Sequence, residues 1–325
     1  MTDFWNWSPD LAKKLGEVEA ILLDTIEDPA FPLSAETKAL VLSGGKMLRP
    51  AFTLLGAGFG KGGRKASRTR TAHLAAAIEL LHTATLVHDD ILDQADVRRG
   101  LPALHTRFGT VNAVLAGDWL FSACFRLVAD YSDARSSRIL ARFVGAICAS
   151  EIRQDLDKHS FSASRRQYLR TIAGKTAALF SLSLHVGAAT AGADPLITQR
   201  LRRAGYDIGM AFQIIDDILD CESDDITLKK PAGNDLKEGL CTLPLICALE
   251  TAGKRIRPLL SPVPLDGERV SLVLAEIRAA GGLEKARSLA RAFTARASRE
   301  ISSLPPCPAK TELEAAAGRL LDRKY

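Results

Sequence analysis

The sequence predicts an all-α protein, one domain built on a long central bundle. Three observations predict it. Alanine and leucine are abundant while aromatic residues make up only 6% of the 325 residues, a mix that favours helices over sheets. Apolar residues recur at spacings of three and four, with charges between them. No Asn-Gly or Asp-Gly pair stands between alternating runs, so the usual hairpin signal is missing.

Taken in order, Leu11, Leu15, Val18 and Leu22 form the first apolar stripe. The same periodicity predicts helices over 71–93, 110–130, 136–157, 165–190, 196–222, 240–252, 267–279 and 283–302. Breaks fall at Gly44-Gly45, Gly56–Gly63, Arg99-Gly100-Leu101-Pro102, Ala193-Asp194-Pro195, Pro231–Gly233 and Leu304-Pro305-Pro306. The basic stretch from Lys61 to Arg70 reads as an exposed, solvated loop. No shift of composition marks a boundary, so residues 1–325 read as a single domain.

The charge balance, 43 Lys and Arg against 38 Asp and Glu, is too mild for a nucleic-acid partner. It suits an anionic small substrate without requiring one. The six cysteines form no CxxC pair, which argues against zinc and for buried free thiols in a reducing compartment. The N-terminus lacks a basic region followed by an apolar core, and no uninterrupted apolar run reaches the ~18 residues of a membrane span. A soluble, cytoplasmic protein is expected.

Two acidic clusters carry the chemistry. His88-Asp89-Asp90-Ile91-Leu92-Asp93 and Ile215-Asp216-Asp217-Ile218-Leu219-Asp220 both read Asp-Asp-x-x-Asp, and each follows a long apolar run. On a helix, residues i and i+4 share a face, so Asp89 projects with Asp93 and Asp216 with Asp220, flanked by Asp90 and Asp217. Carboxylates so crowded repel one another unless a cation intervenes. All-oxygen ligands point to Mg2+, which keeps several waters and shares its shell with substrate phosphates. The six aspartates are therefore candidate metal ligands for a diphosphate site. Cations accompany them: Lys46 and Arg49 after a glycine turn, Arg98-Arg99 after the first cluster, Lys175 after Gly174, and Lys229-Lys230 after the second cluster. Arginine grips phosphate with paired hydrogen bonds and lysine adds a point charge, so the set reads as sites for two diphosphates.

On these motifs the sequence resembles the trans-isoprenyl (polyprenyl) diphosphate synthases, in particular the long-chain octaprenyl/solanesyl-type bacterial enzymes. The resemblance runs from about Leu15 to the C-terminus. It rests on Gly44-Gly45-Lys46-Met47-Leu48-Arg49-Pro50, on Asp89-Asp90-x-x-Asp93 followed by Arg98-Arg99-Gly100, and on Gly117-Asp118-Trp119-Leu120. It also includes Gly174-Lys175-Thr176-Ala177, Phe212-Gln213-Ile214-Ile215-Asp216-Asp217 with Asp220, and the segment from Asp235 to Pro244. Two positions depart from the pattern: Lys229 replaces a glycine, and Ser150 replaces the glycine of a Glu-Gly-Glu of which Glu151 remains.

The resemblance implies the isoprenoid synthase fold, long antiparallel helices around a central cavity. It also implies a prenyltransferase that condenses an allylic diphosphate, farnesyl or geranylgeranyl, with isopentenyl diphosphate and releases diphosphate. Lys46, Arg49, His82 and Arg99 would hold the isopentenyl diphosphate. Arg98, Lys175 and Lys230, with about three Mg2+ ions, would hold the allylic diphosphate. Thr176 and Gln213 would line the carbocation path. Asp89, Asp93, Arg98, Lys175, Asp216 and Lys230 would carry catalysis by stabilising the leaving group. His82 and His88 read as substrate-contacting or packing groups rather than general bases.

Ala84 and Thr85 lie five and four residues before Asp89, about one helical turn (~5.4 Å) away on the same face. Bulky aromatics at these positions stop the chain early in the family. Small ones imply a product longer than C20, about C30–C50, though close helix packing would also explain them. Short-chain farnesyl or geranylgeranyl diphosphate synthases and class I terpene cyclases are the alternatives. The resemblance further suggests a homodimer, quinone side-chain synthesis and a product handed to membrane enzymes.

Overall fold

Leu11, Leu15, Val18 and Leu22, the stripe that opens the sequence, are buried on one side of α1 (Pro9–Ile26). The computed structural model describes residues 3–61, 65–222 and 232–321. The chain divides into two compact units, one of Met1–Ala141, Leu182–Arg202 and Leu304–Leu313, the other of Arg142–Ser181, Arg203–Ser303 and Glu314–Tyr325.

The first unit continues with α2 (Ser34–Leu42), α3 (Leu48–Ala57) and α4 (Lys65–Leu92). A two-stranded ribbon follows, β1 (Val97–Arg98) paired antiparallel with β2 (Leu101–Pro102), then α5 (Leu104–Phe108) and α6 (Thr110–Tyr131). Helix α4 is its centre and packs on α1, α3, α5 and α6. Its residues Leu74–Ile78, Leu80, Leu81 and Ala84 are buried, so the helix is apolar on more than one side. The basic stretch is not wholly a loop, because α4 already begins at Lys65. Lysine and arginine are good helix formers, so the basic segment can enter the helix.

The second unit contains the buried Met210, Ile214, Ile215 and Ile218 of α10 (Pro195–Glu222). These residues share one core with α8 (Arg165–Ile172), α12 (Leu243–Ile256), α13 (Gly267–Ala279) and α14 (Gly282–Ser302). Helix α8 starts at a capping box: Ser164 accepts from the Gln167 N–H while the Gln167 side chain returns to the Ser164 backbone. The turn Ala173–Ala177 that follows is a π-helix, and α9 (Ala178–Thr190) continues from it. The short α11 (Asn234–Lys237) lies after the second acidic motif. Helices α7 (Ala134–Leu156) and α15 (Pro308–Leu321) complete the described chain.

Two stretches, Thr110–Tyr131 and Arg165–Thr190, are long and apolar enough to cross a membrane by length and composition. The most apolar window of the second is 67% buried, as in a core helix, but that of the first is only 44% buried. Helix α6 therefore carries an exposed apolar face of Val111, Val114, Leu115 and Phe125.

Candidate active site

The first acidic motif ends α4. Asp89 and Asp90 lie in its last turn, and the Asp93 N–H still donates to the Asp89 carbonyl at 2.8 Å. The three carboxylates differ in setting. Asp90 is buried and accepts from Arg98 Nε at 2.6 Å, with a second guanidinium nitrogen in contact. Burial raises the Asp90 pKa, and the Arg98 pair works against that rise. Asp89 and Asp93 are half-buried.

Arg98 and Arg99 sit on the ribbon. Arg99 (φ 52°) and Gly100 (φ 79°) are both left-handed, as in the two-residue turn that matches the twist of paired strands. The Arg99 guanidinium lies on Gly45, where an added Cβ would come within 2.9 Å of its nitrogens. Glu79, which the motifs did not single out, is buried one turn before His82. Burial pushes its pKa up while Arg49 and Arg99 pull it down. Burial also lowers the Arg49 guanidinium to about 10 despite Glu79. His82 is held well below its ordinary value, by burial first and then by Arg49, Arg99 and Arg98, so its imidazole is neutral. Thus Arg49, His82 and Arg99 interact within one cluster, and Glu79 is its acid.

Ala84 has no exposed surface, whereas Thr85 is half-buried with its hydroxyl donating to the His82 carbonyl at 2.8 Å. His88 is a packing group: Nε2 meets the Val114 carbonyl at 3.1 Å, and its ring fills the space beside Gly117.

In the second unit the motif occupies the last two turns of α10. Asp216 is exposed, Asp220 half-buried and Asp217 buried. Asp217 accepts from the Tyr168 hydroxyl at 2.6 Å and from Gln213 Nε2 at 2.8 Å, and Gln213 Oε1 accepts from Thr176 at 2.7 Å. Burial raises Asp217 to about 7, against the two hydrogen bonds and helped by Asp216 and Asp220. Asp220 accepts from the Asn234 and Asp235 N–H groups at 3.1 and 3.2 Å, tying α11 to the motif. Asp235 becomes a further acid of this cluster, its pKa raised well above the carboxylate range by burial and by Asp217 and Asp220.

Lys175 and Thr176 lie in the π-turn, a rare geometry frequent at functional sites. Lys175 Nζ is 3.0 Å from Glu151 Oε2 and 3.4 Å from Gln154 Oε1. A Cβ on Gly174 would meet Ser150 Oγ at 1.9 Å, so the serine that departs from the family pattern presses directly on this turn. Lys229 and Lys230 lie outside the described residues.

Among the described residues, no three His, Cys, Asp or Glu side chains close on a point as a ready-made metal cage. Mg2+ takes one or two carboxylates and completes its shell with water and phosphate. The donor set is suitable: Asp89 with Asp93 and Asp216 with Asp220 offer hard oxygens outside the core, while Asp90 and Asp217 are buried against protein partners.

Comparison with known proteins agrees with this chemistry. A model of the polyprenyl synthetase family matches residues 32–276. The chain is 35% identical over 317 residues to heptaprenyl diphosphate synthase component 2 of Geobacillus stearothermophilus, covering 97% of each. Its structure is similar to geranylgeranyl pyrophosphate synthase from Lactobacillus brevis, with a TM-score of 0.92, 34% identity and 99% coverage of both chains. It is likewise similar to a polyprenyl synthase from Caulobacter crescentus solved with calcium and isoprenyl diphosphate, with a TM-score of 0.90, 30% identity and coverage of 99% and 97%.

Proposed function

Because the chain belongs to the polyprenyl synthetase family and is a polyprenyl diphosphate synthase with the all-α isoprenoid synthase fold, we propose that it extends an allylic diphosphate with successive isopentenyl diphosphates, in a Mg2+-dependent reaction, to an all-trans product of about C30–C50. The observation that carries the reading is the pair of Asp-Asp-x-x-Asp motifs, each ending a long helix and each with its middle aspartate buried against a partner.

In this reading both motifs serve one pair of substrates. Asp89, Asp93, Asp216 and Asp220 would hold the Mg2+ ions, which when bound supply positive charge to the departing diphosphate. Arg98 keeps Asp90 in place, and Tyr168 keeps Asp217 in place, so the less buried carboxylates are aimed before substrate arrives. Lys175, Lys230 and Arg98 add positive charge around the allylic diphosphate, so its C–O bond ionises to the allylic cation. The double bond of isopentenyl diphosphate, held through Lys46, Arg49 and Arg99, then forms the new C–C bond. Loss of a proton to the released diphosphate completes the turn. A neutral His82 acts as a hydrogen-bonding group rather than a cation there. Thr176 and Gln213, hydrogen-bonded to each other, would line the carbocation path.

The names of similar proteins run from geranylgeranyl through heptaprenyl to nonaprenyl and decaprenyl, so product length rests on Ala84 and Thr85. A homodimer is supported by the apolar outer face of α6, which a second copy would cover. The similarity to a "component 2" favours a second reading, a catalytic chain that needs a different partner. A cytoplasmic enzyme handing its product to membrane enzymes for quinone side chains is the accompanying proposal. Cell fractionation, and a search for chain-shortened quinones after depletion, would test it.

The decisive assay uses the purified chain alone with farnesyl diphosphate, labelled isopentenyl diphosphate and Mg2+. Extracted products are sized by reverse-phase chromatography, with a chelator control and light scattering for mass. Linear polyprenols of about C30–C50, lost with chelator, are expected. Cyclic products reject the reading, short ones reject the length, and activity only with a second protein selects the two-component alternative.

A further inference from the structure

Phe4 and Trp5 precede the segment matched by the family model, yet they are built onto its glycine-rich loop. Trp5 is 1% exposed, and its indole Nε1 donates to the Lys46 carbonyl at 2.5 Å. The Lys46 ammonium lies over the Phe4 ring, 5.0 Å from its centroid, and the two rings pack edge to face at 4.9 Å. The aromatic pair is anchored in turn. The Ser8 N–H donates to the Trp5 carbonyl at 2.9 Å, and the Ser8 hydroxyl donates to Glu312 on α15, which also lies outside the matched segment.

The loop around Lys46 needs such a tie. Gly44 (φ 110°) and Met47 (φ 46°) are both left-handed, and no side chain caps the start of α3. Met47 pays a steric penalty in that conformation, so surrounding contacts must hold it. The lysine side chain is long, and fixing it against its rotamer freedom also needs a partner. A ring face attracts the charge while using no acceptor lone pair, so the Phe4 contact itself does not compete with phosphate for the ammonium donors.

We propose that Phe4 and Trp5 are positioning residues for Lys46, and that through it they set the affinity for the diphosphate of the isopentenyl substrate. This rests on the reading of Lys46 as a contact of that diphosphate. Trp5 fixes the backbone of the loop, and Phe4 holds the ammonium on the side from which it reaches substrate.

The test is steady-state kinetics of the full chain at saturating allylic diphosphate, with isopentenyl diphosphate varied. Phe4→Leu keeps an apolar side chain while removing the ring face beneath the ammonium and its edge contact with Trp5. It should raise KM for isopentenyl diphosphate about threefold, with kcat and the allylic KM unchanged. Trp5→Phe should raise the same KM about fivefold by losing the indole bond. Lys46→Ala should raise it at least about tenfold, and adding Phe4→Leu to Lys46→Ala should have no further effect, because Phe4 acts through the ammonium. An unchanged or lower KM for Phe4→Leu overturns the inference, as does a threefold rise that persists in the Lys46→Ala background. If Trp5→Phe fails to fold, the Phe4 series alone decides. If Lys46→Ala leaves the KM unchanged, the assignment of Lys46 itself falls and takes the inference with it. A normal Phe4→Leu beside an impaired Lys46→Ala sinks the inference alone.

Discussion

Tyr168 donates its hydroxyl to Asp217 at 2.6 Å, so the middle carboxylate of the second motif is partnered by the protein itself. Asp217 stands near 7 chiefly because it is buried, and the Tyr168 and Gln213 bonds hold it below where burial alone would put it. Between its ordinary value near 3.8 and about 7, the folded chain keeps a proton that the unfolded chain has released. This contribution is complete below pH 3.8 and is lost as pH rises to about 7. In chelator, the stability advantage of wild type over Asp217→Asn should therefore shrink by up to about 1.4 kcal/mol per pH unit across that window and level off above it. Tyr168→Phe removes a bond to the ionised form, so the levelling should move to higher pH, with a loss of about 1–3 kcal/mol at neutral pH. Urea unfolding from pH 4 to 9 measures both.

Glu79 is the acid that interacts with Arg49 and Arg99 within one unit. Glu79→Gln removes that interaction and should cost about 1–3 kcal/mol. Arg49→Gln should cost a similar amount, and the double variant clearly less than the sum, because each removes the same interaction. Denaturant midpoints read the cycle.

Thr85 is half-buried one turn from Asp89, whereas Ala84 is fully buried. Thr85→Phe should shorten the product towards about C15–C20 with little loss of stability. Ala84→Phe should also shorten it, but with about 1–3 kcal/mol of destabilisation, because its ring must displace packed neighbours. Product sizing with thermal melts separates the two effects, and an unchanged product from both variants removes these positions from control of length.

Gly174→Ala would drive a methyl group into Ser150 Oγ, 1.9 Å away, and against the Ala146 carbonyl at 3.0 Å. We expect a loss of about 2 kcal/mol and a weakened Lys175 site. Adding Ser150→Gly should restore part of the stability, since it removes the nearer contact and leaves the carbonyl. Thermal denaturation of the two single variants and the pair checks this.

Much of this was legible in the sequence where local pattern and tertiary role coincide. Helix α13 spans the expected 267–279, and α10 begins one residue before the expected 196 and carries its acidic triplet to the expected end. Helices α2, α3, α5, α11 and α15 were not anticipated. In α3, a left-handed Met47 at the start and Pro50 in the first turn hide the helix behind turn signals. The ribbon at 97–102 was missed because Arg-Gly takes the place of Asn-Gly, with Arg99 in the left-handed position that asparagine favours. The aspartates were visible because i and i+4 spacing reveals a shared face. Tyr168 was not, since its partner lies 49 residues away. Glu79 offered one signal, a single acid inside the apolar run Ala75–Leu81, which has to be paired if it is buried.

The ribbon has a consequence for how this region can vary. Arg98 on β1 reaches Asp90, while Arg99 in the reversal lies on Gly45, so two adjacent guanidinium groups are delivered to two different places. Inserting or deleting a residue between Gln94 and Arg98 would shift the reversal relative to the end of α4 and displace both arginines at once. Geometry therefore constrains length here, and viable changes in this segment should come as substitutions.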